Sequence, residues 1–227
     1  MLIVVLLPVL LAVVFGPQLW VRRVMRANAA DRPDFPGTGG ELARHLLDRA
    51  GLADVKVERV VDGDHYDSRD RAVRLSAANF DGRSVTAVAV AAHEVGHALQ
   101  HAAGMPMFHW RQRLAGFAIR VEQVAAVVMV LVPVVAIATR APALFIGQIA
   151  LGIALLACRV VVHLATLPVE FDASFGRALP VLEGEGYLPP ADIPAARGVL
   201  RAAALTYVAA ALVSLLDLTR WIRVLRF

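Results

Sequence analysis

The chain has 227 residues, 58% of them hydrophobic, with a mean hydropathy of +0.62; apolar usage nearer half is normal for soluble domains, so the composition favours a small domain combined with membrane helices. The formal net charge is +4, yet no basic patch interleaved with aromatics accompanies it, which argues against nucleic acid as a partner and for arginines that flank a lipid bilayer. A single cysteine, Cys158, excludes an internal disulfide framework.

Residues 2–20, LIVVLLPVLLAVVFGPQLW, carry no charge and match the roughly 20 residues that cross a bilayer core. No Lys or Arg precedes them, and Arg22, Arg23 and Arg26 follow. That order reads as a retained transmembrane helix over 1–21 rather than a signal peptide. The positive-inside rule then puts the following segment in the cytoplasm.

Residues 22–113 read as that cytoplasmic segment. ADRPDFPGTGG is a turn-rich linker. TGGELARHLLDRAG predicts a short amphipathic helix, with Thr38 as N-cap and Gly51 at its end. VKVERVV alternates as a strand, and DHYDSRDRAVRLS reads as two short strands around a polar turn at 67–70. From Ser84 to about Ala103 the pattern is helical, stopped by Gly104 and Pro106.

An apolar block over 114–167 divides at TRAPAL, 139–144, where Arg140 and Pro142 mark a turn. Each half is long enough to span, so the block predicts a transmembrane hairpin. Residues 168–200 are polar and turn-rich, back on the cytoplasmic side. The last segment, 201–227, predicts a helix that spans the membrane or packs on it, with Arg220, Arg223 and Arg226 at its far end.

The chemistry concentrates in VAAHEVGHALQH, residues 90–101. Zinc takes neutral imidazole nitrogens in a tetrahedral shell, and a catalytic zinc keeps one position open. On a helix, i and i+4 share a face, so His93 and His97 can reach one ion. Glu94 then flanks the open position, where it can take a proton from activated water and pass it to a leaving amine. His101 continues the row, but eight residues of helix span about 12 Å while zinc–nitrogen bonds are near 2 Å. His93 and His101 therefore cannot share an ion. The third ligand comes from elsewhere: Glu170, Asp172, Glu183, Glu185, His109, His65 or His163. Glu170 and Asp172 stand where the chain returns to the side of the histidines, and topology favours them.

Four separate segments, DHYDSRDRAVRLS, VAVAAHEVGHALQH, TLPVEFDAS and LTYVAAALVSLL, closely resemble the YugP-like neutral zinc metallopeptidases, small membrane proteins of bacteria. A more distant resemblance is to the HtpX-like and CAAX-prenyl membrane proteases, which carry a later glutamate ligand in an E-F-x-A-D type segment. The resemblance implies His93, His97 and Glu170 as zinc ligands and Glu94 as the base. Ser174 stands where the distant relatives have aspartate, which nominates Asp172 as the carboxylate that orients a ligating imidazole. Proteases of this kind hold an extended peptide at a sheet edge, which makes Asp64, His65 and Tyr66 candidate cleft residues. Tyr207 is a candidate donor to the oxyanion, with a membrane-interface tyrosine as the plainer reading.

The fold expected from these readings is a mainly α integral membrane protein. It has a zincin-like catalytic domain with a short β-hairpin or small sheet, and three to four transmembrane helices. The expected activity is that of a membrane-bound zinc metalloendopeptidase at the cytoplasmic face of the cell membrane, acting on membrane-associated polypeptides. The alternative is a non-catalytic, zinc-stabilised scaffold or chaperone-like module, which needs the ligands but not Glu94.

Overall fold

The computed structural model describes residues 2–61, 63–140, 143–184 and 186–215. Pro142, Glu185, Arg220, Arg223 and Arg226 lie outside the described residues.

Local sequence explains the elements. After α1 (Leu2–Ala27), helix α2 (Gly39–Arg49) starts on a complete capping box. The Thr38 hydroxyl accepts from the Glu41 amide at 3.2 Å, and the Glu41 carboxylate accepts from the Thr38 amide at 2.8 Å. This satisfies two of the donors that a helix start leaves open. Gly39 lets α2 approach its neighbours: a Cβ there would lie 2.2 Å from the Asn79 carbonyl oxygen and 2.8 Å from that of Ala87. Strands β1 (Lys56–Val60), β2 (His65–Asp67) and β3 (Ala72–Ser76) form one sheet in the order β1-β3-β2. β2 and β3 are the antiparallel hairpin that the sequence predicts, with Tyr66 opposite Val73. β1 joins β3 in parallel, Val57 opposite Val73.

The short α3 (Ala77–Phe80) leads to α4 (Val85–Ala102), capped by the Ser84 hydroxyl, which accepts from the Ala87 amide at 3.0 Å. Every residue of α4 from Val85 to Ala98 is buried. A helix apolar on most of its circumference belongs inside a core, and Thr86, His93, Glu94, His97 and Gln100 are the buried polar residues in an otherwise apolar rod. Then come α5 (Pro106–Thr139), α6 (Ala143–Phe171), a π-helical segment (Asp172–Ala178), α7 (Leu179–Gly184), a 3-10 turn (Pro190–Asp192) and α8 (Ile193–Leu215).

The chain divides into two compact units. One comprises residues 17–109 and 167–206. It contains α2, the sheet, α4, the π segment and α7, around a core that includes Leu47, Val73, Leu75, Val95, Leu182 and Leu200. Here α4 packs against both α2 and the π segment. The other unit comprises 1–16, 110–166 and 207–227. It contains most of α5 and α6 and exposes large apolar side chains, among them Phe117, Ile119, Val127, Leu131 and Ile146.

The mainly helical fold with a small sheet agrees with expectation; the three to four transmembrane helices do not. Among the described residues no helix is long and apolar enough to cross a membrane. A spanning stretch has to stay apolar for roughly 20 residues. Arg111, Arg113, Arg120 and Glu122 interrupt the first half of α5, Arg159 and His163 the second half of α6, and Arg197 and Arg201 the start of α8.

Candidate metal centre

His93 and His97 lie one turn apart on α4, with ring centroids 4.7 Å apart. Glu170 comes from the last turn of α6, and its Oε2 lies 3.3 Å from Nε2 of each histidine. All three residues are buried, Glu170 at 0% exposure. These three make up the one cluster of possible metal ligands among the described residues, their donor atoms all within 4.8 Å of one another.

Two features of sequence bring α4 and the Glu170 region this close. Gly96 removes the side chain at the crossing: a Cβ there would sit 2.7 Å from the Ala173 carbonyl oxygen and 3.2 Å from the Ala173 Cα. The chain beyond Phe171 then widens into the π segment, a local feature common at functional sites. Both Glu170 and Ser174 meet α4 there, one at the Nε2 atoms and the other at the far side of the His93 ring.

The hydrogen bonds settle which imidazole nitrogen carries the proton. The Ser174 hydroxyl donates to the Leu200 carbonyl at 3.0 Å and lies 2.9 Å from His93 Nδ1. A carbonyl only accepts, so Ser174 accepts from His93 Nδ1–H. The Gln100 amide nitrogen donates to the Val169 carbonyl and to Asp172 Oδ2, both at 2.8 Å. Its oxygen therefore faces His97 Nδ1, 2.9 Å away, and accepts from it. In the neutral imidazole the other nitrogen then offers a lone pair.

The donor set consequently fits a metal. Two Nε2 lone pairs and a carboxylate oxygen converge, an arrangement that a divalent cation satisfies and a mutual hydrogen bond does not. Zinc bonds of about 2.0–2.1 Å in a tetrahedron set ligand atoms about 3.3 Å apart, which matches both measured separations from Glu170.

Glu94, buried at 7% exposure, follows His93 directly on α4. Asp172 does not reach an imidazole. It accepts from Gln100 and from Arg177 Nε, each at 2.8 Å. Burial opposes its ionisation, but those hydrogen bonds and the Arg177 charge outweigh it and hold the carboxyl below the usual range. Ser174, where aspartate stands in the distant relatives, is itself the partner of His93.

The remaining candidates lie elsewhere. Asp64 accepts from the Ser76 amide, the Ser76 hydroxyl and Asn79, at 2.7, 3.0 and 2.8 Å, and so braces the end of β3. His65 is exposed on β2, and Tyr66 is buried with its hydroxyl 2.8 Å from His101 Nδ1. His109 lies edge-on to His101, and Glu183 pairs with Arg197 at 2.6 Å. Tyr207 belongs to the other unit, where its hydroxyl accepts from Arg111 at 2.7 Å beside the His163 ring. Sequence reasoning missed Gln100 as a participant. Its only signal was a polar side chain three residues after His97 on a buried helix face.

Two histidines one turn apart, a glutamate from a second helix and a buried glutamate beside the first histidine are the parts of a zinc peptidase centre. The model of the family described as "Putative neutral zinc metallopeptidase" matches residues 2–226, and the chain belongs to that family. It is similar to the Bacillus subtilis (strain 168) protein described as "Putative membrane protease YugP", with 43% identity over 198 residues, 82% of this chain and 80% of that one. No solved structure matches. Zinc is the metal of the family, and His93, His97 and Glu170 form the site that can hold it.

Proposed function

We propose that the protein is a zinc endopeptidase in which His93, His97 and Glu170 hold the metal and Glu94 is the general base. The observation that carries this reading is the convergence of two imidazole lone pairs and a buried carboxylate oxygen at 3.3 Å, with the proton of each ring on its outward nitrogen. Zinc, when bound, supplies Lewis acidity that polarises a peptide carbonyl and lowers the pKa of water. Glu94 takes the proton from the attacking water and delivers it to the departing amine. Buried side chains around the ligands limit competing access of solvent.

The substrate is an extended polypeptide lying along the edge strand β2, where backbone pairing tolerates many sequences. Of the three cleft candidates, exposed His65 is the one available to a bound peptide; Asp64 and Tyr66 are committed to packing. The Tyr207 hydroxyl is engaged by Arg111 and takes no step in this mechanism. Two points support membrane-proximal polypeptides as substrates. The Bacillus relative is described as a membrane protease, and exposed apolar side chains such as Phe117 and Leu131 are the kind of surface that meets lipid or protein.

The test is Glu94→Gln. Zinc content, measured by elemental analysis, stays at the parent level, and cleavage of a quenched-fluorescent unstructured polypeptide falls by about 10²–10⁴-fold, the usual worth of a general base. Full cleavage by the variant would sink the mechanism. The scaffold alternative makes the opposite prediction in cells: the Glu94→Gln protein would restore any phenotype of the deletion as well as the parent does.

A further inference from the structure

We propose that Gln100 is a positioning residue that ties the ligand His97 to the chain segment carrying the ligand Glu170, an inference that rests on the zinc-centre reading above. Gln100 lies on α4 three residues beyond His97 and is completely buried. Its amide makes three hydrogen bonds. The oxygen accepts from His97 Nδ1 at 2.9 Å, and the two hydrogens of the nitrogen go to the Val169 carbonyl and to Asp172 Oδ2, each at 2.8 Å. Val169 precedes Glu170 by one residue, and Asp172 follows it by two. One planar group thus grips a ligand on one helix and both flanks of a ligand on another.

Only a primary amide of this length does so. A carboxylate has no hydrogen to give Val169 or Asp172, an ammonium has no acceptor for His97, and asparagine is one methylene short. Because carbonyl and carboxylate both accept, neither partner tolerates a flipped amide. The orientation of Gln100, and through it the tautomer of His97, is fixed before metal arrives. Asp172 is held in turn by Arg177 Nε at 2.8 Å. Asp172 therefore serves His97 at one remove: it sets which way the amide faces. It does not make the direct contact with an imidazole that its place in the sequence suggests.

The experiment measures zinc affinity by chelator competition, and the d–d absorption of the cobalt-substituted protein, for Q100L, Q100E, Q100E/D172N and E170A, each with apo-protein thermal unfolding as the check of folding. Q100L removes all three bonds and weakens zinc by roughly 10–100-fold, the usual cost of losing an outer partner of a ligating histidine, with an altered cobalt spectrum. Q100E keeps the acceptor for His97 but sets a carboxylate against Asp172 and the Val169 carbonyl, and also weakens zinc. Adding D172N, whose amide can donate to Glu at position 100, recovers part of that loss. If Q100L does not fold, the Q100E and Q100E/D172N pair decides alone. Zinc affinity within twofold of the parent in Q100L and Q100E, with E170A losing the metal, overturns the positioning role and leaves the metal centre standing. Retention of zinc by E170A overturns the metal centre itself.

Discussion

Two pairs of histidines occupy neighbouring ground, His93 and His97 on α4, and His101 on α4 with His109 from the start of α5, and in each pair the rings meet edge to face. The His93 and His97 rings lie 4.7 Å apart at 77°, those of His101 and His109 5.7 Å apart at 73°. Only the first pair belongs to a metal cluster. The difference lies in what meets the nitrogens. His93 and His97 have acceptors on Nδ1 and a shared carboxylate oxygen at Nε2. His101 shares its Nδ1 with the Tyr66 hydroxyl and stacks on Phe108 at 5.4 Å and 24°, and His109 is exposed. Closeness of imidazoles does not make a metal site. A buried carboxylate from a second element does, together with partners that put the ring protons on the outward side.

The largest contrast comes from removing one histidine of each pair. His97→Ala is expected to lower zinc affinity by more than the roughly 10–100-fold that an outer partner costs, and to abolish cleavage. His101→Ala is expected to leave zinc content unchanged. Elemental analysis of the two purified variants checks this, and equal zinc loss in both would erase the distinction.

A smaller effect follows from pushing the two elements of the first neighbourhood apart without touching a ligand. Gly96→Ala places a methyl within 2.7 Å of the Ala173 carbonyl oxygen. Backbone on both sides has to give, and overpacking of this kind costs about 1–3 kcal/mol. Chemical denaturation should register that loss, and chelator competition should show weaker zinc binding, because Glu170 lies three residues from the contact. Parent-like zinc affinity in a destabilised Gly96→Ala protein would mean that α4 and the Glu170 segment are held in register by other contacts.

How much of this could be read from sequence follows from how local each signal is. The i, i+4 spacing places His93 and His97 on one face whatever the fold, and the capping residues Thr38 and Ser84 mark their helix starts within one residue. The exclusion of His101 followed from helix rise alone, and the observed cluster omits it. The partners that hold the ligands are long-range, and no local pattern announces them. Gln100 reaches residues 69 and 72 positions away, and Ser174 meets His93 across 81. The parallel pairing of β1 with β3 and the π segment after Phe171 are products of packing, invisible to period counting. The spanning helices failed for a different reason: the apolar blocks were read by their length, and Arg, Glu and His interrupt them.

The smallest expected effect separates the two neighbourhoods by pH. Burial, then the nearby His109 and the Arg71 charge, hold the His101 imidazole below the usual histidine range. The folded protein therefore binds this proton less readily than the unfolded chain, whose histidines titrate near 6.5. The stabilising contribution is fully present above about pH 6.5 and is lost as the pH falls through the lowered folded value. His101→Phe retains an aromatic ring to stack on Phe108 and removes the titration. In the chelator-treated protein, melts between pH 7.5 and 5.0 should fall more steeply for the parent than for this variant. At the upper end the variant should be less stable by about 1 kcal/mol for the lost Tyr66 hydrogen bond. Parallel slopes would mean that His101 does not carry the acid sensitivity of the fold.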